Sequence, residues 1–511
     1  MTTHAPSDGE SPDTTPISPL QSPGRGRSRF KADLGAMALY GAIVHAWGLW
    51  ITPLGPDAAR LAGDAGITGV SAWMLSAAVQ IFGSAVVPYH LVNFGLIYAC
   101  MVCVYLIAIR LSRAQSWLGV FAANLWMASP GHREATVALT GMVDLLPCLA
   151  ALMAFVAFLR HQARPTPLRL GVFSALLLLA TGAFPINQWL GAVFLAIGWC
   201  MWAKHPGQAP RTLVCLVALA VGLSMHAWPS LEAASAFDRY GALYFCLYGI
   251  GFLPETATRF AESPILAWMA AAVVVALVWL MHRKAMRPAF IAIIAGMVLY
   301  RSSGSVQSVD PVHLVGGGSL VFATALFIIA VAILYARTME HKRWAPILGL
   351  TSITASVVFF LLMIHAISGW REAAKLTNAY HEAAAATHEK TGEPVLVVPD
   401  FQAMRGAPLQ LSRMLSYDTP FGPAVPHIAA VPLDYAPLPF MYSLTQVFGK
   451  PPQSIGIGGT PDARAVQRPW EGGELGTRIT EIGYVIEFPD GFTLNRRNWV
   501  LFGDVIWAFA D

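Results

Sequence analysis

Charge is what this sequence has least of. Only 12% of its 511 residues are charged and 56% are hydrophobic, where a soluble domain carries about 25% charged residues. That balance excludes an ordinary soluble protein and describes a polytopic membrane protein. The net charge of +4 says little, because in such a chain the placement of charges matters more than their sum. Nothing in it points to nucleic acid. Cysteine is sparse as well, with six residues at positions 100, 103, 148, 200, 215 and 246, mostly inside apolar segments. Cys100 and Cys103 have CxxC spacing, but no second pair accompanies them, so the pattern does not indicate a metal or redox centre. The sequence has no Walker loop, no HExxH and no GxSxG, which removes the phosphate-loop, zinc-protease and serine-hydrolase classes. A cleavable signal peptide is not expected either: the first apolar run starts near Leu34, after a long polar tail, and no small-residue cleavage site follows it.

What the chain does have is a succession of apolar runs. Residues 1–31, rich in Pro, Ser, Thr, Gly and Asp and ending in GRGRSRFK, cannot bury a core and read as a disordered cytoplasmic tail. Eleven apolar segments follow, near 34–52, 89–109, 116–130, 137–159, 168–184, 187–203, 212–228, 264–281, 288–301, 314–336 and 345–367. Each approaches the roughly 20 residues that cross a bilayer. Only a turn at Pro185 separates the fifth from the sixth. With the N-terminus inside, 17 Lys and Arg residues fall in cytoplasmic parts and five in the opposite loops. The positive-inside rule therefore orients the chain N-in, and an odd number of spans puts the C-terminus outside. The acidic residues Asp57, Asp64, Glu134, Glu232, Asp238, Glu255, Glu262 and Asp310 lie on the outer side. The first outer loop, 53–87, includes SAWMLSAAVQIFG, which is too short to span and reads as an interfacial or re-entrant helix.

From Trp370 the composition changes. REAAKLTNAYHEAAAATHEK reads as an amphipathic helix, PVLVVPDF as a buried strand, and ITEIGYVIEF and WVLFGDVIWAF as further strands. The expected fold is thus an α-helical polytopic membrane protein of about eleven spans. Its parts are the tail, a transmembrane domain over 32–369, and a small α+β extracytoplasmic domain over 370–511.

Polar residues inside the apolar part mark the candidate site, because each costs about 2.5–3.5 kcal/mol near a bilayer midplane. Pro130, His132, Arg133 and Glu134 form a knot between the third and fourth segments, with Asp144 a few turns on. His90 and Asn93 open the second segment three residues apart, on one helical face. Asp57 and Asp64 lie in the first outer loop. A carboxylate at this level can act as general base on an acceptor hydroxyl while an arginine holds a phosphate leaving group. The plain alternatives are loop solvation for Asp57 and Asp64, an ion pair for Arg133 and Glu134, pairing inside the bundle for Asp144, and inter-helix hydrogen bonds for His90 and Asn93.

The stretch from Pro88 to Arg160 resembles the C-type glycosyltransferase superfamily, in its O-mannosyltransferase-like branch. Tyr89-His90-Leu91-Val92-Asn93 matches that branch's opening to the second span. Pro130, His132, Glu134, Val137, Gly141, Asp144 and Leu145 match a second pattern at the same spacing. The resemblance implies a sugar taken from a polyprenyl-phosphate donor in the membrane lipid and passed to an extracytoplasmic acceptor: protein, lipid or envelope glycan. It implies a catalytic acid in the first outer loop, Asp57 or else Asp64. Substrate binding would involve His90, Asn93, His132, Arg133, Glu134 and Asp144. It implies a location in a bacterial inner membrane. No cofactor is required by any residue pattern, and a divalent metal is compatible with the family. The family's paired acids are here a single Asp57 and a separate Asp64, and VVP, ATGAFPINQW and PVHLVGGGSL with His313 stand where other family elements occur. Those departures motivate a second reading, a non-catalytic membrane scaffold or lipid-glycan binder. A third, a transporter of lipid-linked material, lacks the internal repeat common in that class.

Overall fold

The computed structural model describes residues 23–63, 69–112, 116–129, 133–184, 190, 264–283, 286–302, 317–339, 345–391, 395–401, 403–404, 407–408, 414–424, 429–433 and 484–485. The expected spans at 187–203 and 212–228, the turn at Pro185 and the strand at 499–509 lie outside the described residues, as do Asp64, Pro130, His132 and His313.

The helices run in order α1 (Pro23–His45), α2 (Gly55–Leu61), α3 (Gly69–Phe82), α4 (Val86–Ser112), α5 (Ser116–Met127), α6 (Arg133–Val137), α7 (Met142–Ala163), α8 (Pro167–Gly182), α9 (Pro264–His282), α10 (Arg287–Ser302), α11 (Gly317–Met339) and α12 (Ala345–Thr391). Among the described residues four are long and apolar enough to cross a membrane: α4, α7, Val321–Met339 of α11 and Ala345–Lys375 of α12. The chain is a multi-pass membrane protein. Helix α1 begins at Pro23, so the basic segment assigned to the tail is helical from there. It also stops early, at His45, giving way to a 3-10 turn over Ala46–Gly48. Pro53 then keeps Thr52 out of the helical region, so the helix does not resume before α2. The same rule accounts for α5, which ends three residues short of the expected 116–130, just before Ser129-Pro130.

Helix α7 is the centre of the bundle. Of its most apolar window 83% is buried, against 17% for α12, which is therefore peripheral. It packs against α4, α8 and α11. Ala150, Ala151, Ala154 and Ala157 are buried along it, and in lipid such small residues let helices approach until dispersion contacts hold them. Pro147 lies inside α7. It cannot donate to the carbonyl of Val143, one turn back. Ser71 of α3 supplies the missing donor, its Oγ lying 3.3 Å from the Val143 oxygen. Ser71→Ala is expected to cost about 1 kcal/mol by orphaning that half-buried carbonyl. Denaturant unfolding in detergent micelles reads this, and an unchanged midpoint would mean that another group satisfies Val143.

Helix α3 is short and half-exposed, as expected of an interfacial segment. Leu75 and Ala78 are buried, while Trp73 and Ile81 face outward. It turns into α4 at Gly83, whose φ of +52° suits glycine, and the Tyr89 hydroxyl donates to the Gly83 carbonyl at 3.0 Å. Arg110, Arg160, Arg164 and Arg169 gather at the opposite end of α4 and α7, where the Arg169 guanidinium donates to the carbonyls of Arg160 and Arg164.

The last span and the amphipathic helix expected as separate elements are one helix of 47 residues, α12. No proline lies between Trp370 and Thr391, and the single Gly369 at the join weakens the helix without ending it, so the helical ladder carries through. Arg371 lies over the Trp47 ring and Thr52 Oγ1 donates to Asn378 Oδ1 at 3.1 Å. Both contacts tie the extension to the segment after α1. Beyond it, β1 (Val395–Phe401) lies between β4 (Ala429–Leu433) and β5 (Tyr484–Val485), all parallel, and β2 (Ala403–Met404) pairs antiparallel with β3 (Ala407–Pro408). Strand β1 falls where PVLVVPDF was expected and β5 within ITEIGYVIEF. Phe421 meets the Tyr89 ring at 6.2 Å, which ties this region to the start of α4.

Candidate functional site

The polar residues converge where α2, α6 and the first turns of α4 and α7 meet. None of α2, α6 or the turn over 138–141 belongs to a membrane-length helix.

Helix α2 forms because Pro56 is preset for a first helical turn and Asp57 caps it. Asp57 Oδ2 accepts from the Leu54 N–H at 3.2 Å. The same carboxylate reaches across to the 138–141 turn. It accepts from the N–H of Leu139 at 3.3 Å, from the N–H of Thr140 at 3.0 Å and from Thr140 Oγ1 at 2.5 Å. Asp57 is therefore buried with four donors on its two oxygens. Asn93 grips the turn's other side, its Nδ2 donating to the carbonyls of Ala138 at 2.9 Å and Leu139 at 3.1 Å. His90, one turn earlier on α4, has Nε2 2.9 Å from the Ile51 carbonyl and donates to it. His90 and Asn93 thus make the inter-segment hydrogen bonds that were the plain alternative for them, and in doing so fix the two strands of backbone that flank α2.

What this frame presents is Arg60. Its Nη1 donates to Asp144 Oδ2 at 3.0 Å and to Thr140 Oγ1 at 3.3 Å, and its Nη2 lies 3.8 Å from Glu134 Oε1. Asp57, Glu134 and Asp144, far apart in sequence, thus surround one guanidinium. Burial alone would lower the affinity of Arg60 for its proton. Asp144, then Glu134 and Asp57, outweigh it and hold the group above its ordinary value. The Arg60 side chain keeps 17% exposure, against 8% for Glu134 and 10% for Asp144, so the cluster opens outward along Arg60.

Glu134 differs from the other two carboxylates. Its Oε2 is buried without a hydrogen-bond partner among the described residues. Burial is the largest cause pushing its carboxyl up, to about 8; Asp144 and Asp57 push the same way, and Arg60 and Arg133 oppose. In the unfolded chain the group titrates near its ordinary 4.5, so the folded state holds the proton more tightly. That stabilisation is complete below 4.5 and is lost as pH rises through 8. Glu134→Gln is expected to flatten this decline. Thermal unfolding in detergent across that pH window checks it, and parallel slopes for the two proteins would refute the assignment.

Arg133 is buried beside Glu134 on α6. Among the described residues no group of three or more His, Cys, Asp or Glu is arranged to hold a metal. A small cavity with room for about one water lies beside the cluster, lined by His45, His90, Phe94 and Thr136 among others. Arg60 and Thr140 are the members that sequence reasoning missed. The one signal for Arg60 was its i, i+3 spacing from Asp57 in a loop segment headed by proline.

The sequence was compared with known proteins. Over 185 residues, 36% of this chain, it is 30% identical to Protein O-mannosyl-transferase Tmtc1 of Drosophila melanogaster. The chain resembles the C-type glycosyltransferases of the O-mannosyltransferase-like branch. It spans about a fifth of the length of that relative, 21%. A crystal structure of the Archaeoglobus fulgidus oligosaccharyltransferase, in complex with Zn and sulfate, aligns with 71% of this chain and 60% of its own, at 11% identity and a TM-score of 0.41. No protein-family model matches the sequence.

Proposed function

We propose that this chain is a membrane glycosyltransferase that moves a sugar from a polyprenyl-phosphate carrier in the bilayer to an acceptor outside the cytoplasm. The observation that carries the proposal is the convergence of Asp57, Glu134 and Asp144 on Arg60 in an otherwise apolar bundle. Charged groups at such a place are costly and are retained for chemistry. The likeness to an O-mannosyl-transferase supports sugar transfer as that chemistry. The positive-inside rule, with the arginines at the other end of α4 and α7, supports an extracytoplasmic site; the bacterial inner membrane follows from the family resemblance alone. The region from 370 onward is then the extracytoplasmic α+β domain.

The residues divide by what they touch. With four donors already on its two oxygens, Asp57 is engaged with backbone and Thr140, and we assign it to holding the 138–141 turn. Arg60 and Asp144 form the fixed ion pair around which the site is built. His90 and Asn93 position backbone, and Arg133 and His132 stand nearest in sequence to Glu134 for donor contact. Asp64 remains the second acid of the outer loop.

A non-catalytic scaffold that binds lipid-linked glycans is the second reading. The observation favouring it is the burial of all three acidic residues, Asp57, Glu134 and Asp144. One experiment separates the two. The gene is deleted, envelope glycans and glycolipids are compared by mass spectrometry, and the strain is restored with wild type, Asp57→Asn, Asp64→Asn or Glu134→Gln. A glycan that loses one sugar and regains it only with an intact carboxylate supports transfer. Equal restoration by all four proteins supports the scaffold.

A further inference from the structure

We infer that Glu134 is the general base of the transfer, the group that takes the proton from the acceptor hydroxyl. This rests on the glycosyltransferase reading and names a residue within it. Three carboxylates meet at Arg60, and their oxygens are not equally free. Asp57 has donors on both oxygens. Asp144 Oδ2 is held by Arg60 Nη1 at 3.0 Å. Of the three, Glu134 combines a loose ionic contact, 3.8 Å from Arg60 Nη2, with a buried oxygen that no donor reaches among the described residues. Leaving such an oxygen unpaired carries its full desolvation penalty, larger for a charged group. A donor hydroxyl placed there relieves that cost.

The charges around Glu134 suit the task. Arg60 and Asp57 face it from α2, Asp144 from α7, and Arg133 from its own helix. Two positive and three negative groups make the ionised cluster net negative by one, and a proton on Glu134 makes it neutral. Burial and the two neighbouring carboxylates hold that proton until about pH 8, close to the working range in which a base both exists ionised and accepts a proton efficiently. The step balances simply. The acceptor oxygen forms a bond to the sugar's anomeric carbon as that carbon's bond to the phosphate oxygen breaks. The phosphate leaves with the bonding pair as polyprenyl phosphate, and the acceptor's proton passes to Glu134 Oε2. Arg60 lies on the open side of the cluster, so the hydroxyl approaches along its guanidinium.

The test uses membranes of the deletion strain carrying wild type, Glu134→Gln or Glu134→Asp at equal level, with their endogenous lipid-linked sugars as donor. Transfer is followed by mass spectrometry as a function of pH, and folding by the thermal unfolding midpoint. Glu134→Gln is expected to lose about 100- to 10,000-fold in rate, the usual contribution of a general base. Wild-type transfer should rise with pH toward 8. Glu134→Asp should keep part of the rate with a displaced pH limb, which a merely structural role would not give. If Gln at this position transfers within a few-fold of wild type, the inference fails and the glycosyltransferase reading stands. If wild type transfers nothing at any pH, that reading fails and takes the inference with it. If Glu134→Gln does not fold, the decision passes to Glu134→Asp: an unmoved pH limb overturns the inference and a displaced limb supports it.

Discussion

Arg60→Met is expected to destabilise the folded protein by about 3–5 kcal/mol, the range for removing one partner of a buried ion pair. The methionine fills most of the volume, so the loss is electrostatic. Asp144 loses its 3.0 Å partner and Thr140 Oγ1 loses a donor. Glu134 loses the neighbour that most opposes its upward shift, so its carboxyl rises above 8 and the pH window in which stability declines extends upward. Two measurements decide it. Denaturant unfolding in micelles gives the size, and a midpoint within about 1 kcal/mol of wild type would sink the claim that Arg60 organises the cluster. A double-mutant cycle with Asp144→Asn gives the coupling, expected at the upper part of the 0.5–3 kcal/mol span for residues in one network. Asp144→Asn with Arg60→Met should be less harmful than the two single losses added, because each removes the other's unpaired charge.

Why the sequence pointed to three members of this cluster and not to the fourth has a physical reason. Glu134 and Asp144 stand in apolar surroundings, so their cost in a bilayer made them visible without any partner in view. Arg60 stands in GPDAARLAGDAG, a loop segment where a charge is ordinary solvation. Its partner Asp144 is 84 positions away, a separation that no local pattern reports. Asp57 was visible, but its surroundings were not. That it spends both oxygens on the backbone of 139 and 140 follows from the close approach of α2 to the α6–α7 turn. Such an approach is set by packing rather than by spacing. The spans behaved likewise. The long apolar runs of α4 and α7 declare themselves, whereas the end of α5 depends on the proline that follows it. The fusion of the last span with the amphipathic stretch was overlooked because a change of composition at Trp370 looks like a boundary, while the helical ladder responds only to proline, glycine and capping groups. Gly369, just before Trp370, weakens α12 by about 1 kcal/mol without ending it, and no proline follows within the helix.

Gly141→Ala is the second large effect expected, and it tests the frame rather than the charges. A Cβ at position 141 sits 2.2 Å from the Ala135 carbonyl oxygen and 3.1 Å from both the Ala135 carbonyl carbon and the Ala138 oxygen. All three are backbone atoms, so no rotamer change makes room. The backbone itself has little freedom to move. Asn93 holds the carbonyls of 138 and 139, Asp57 holds the N–H groups of 139 and 140, and the Gly141 carbonyl accepts from Asp144 and Leu145 at the start of α7. Shifting the turn to admit a methyl group therefore breaks bonds on both faces at once and moves Asp144 away from Arg60. We expect a loss of about 3–5 kcal/mol, at the top of what single substitutions cause, with failure to purify as monodisperse protein as its extreme form. Gly95 on α4 provides the contrast: it is exposed, and a Cβ there meets nothing within 4 Å. Gly95→Ala should be neutral or gain up to about 1 kcal/mol from helix propensity. Unfolding midpoints for the two variants, measured in the same detergent, decide the matter. If Gly141→Ala unfolds where Gly95→Ala does, the turn is not held from both sides, and the carboxylates it presents to Arg60 are not preorganised.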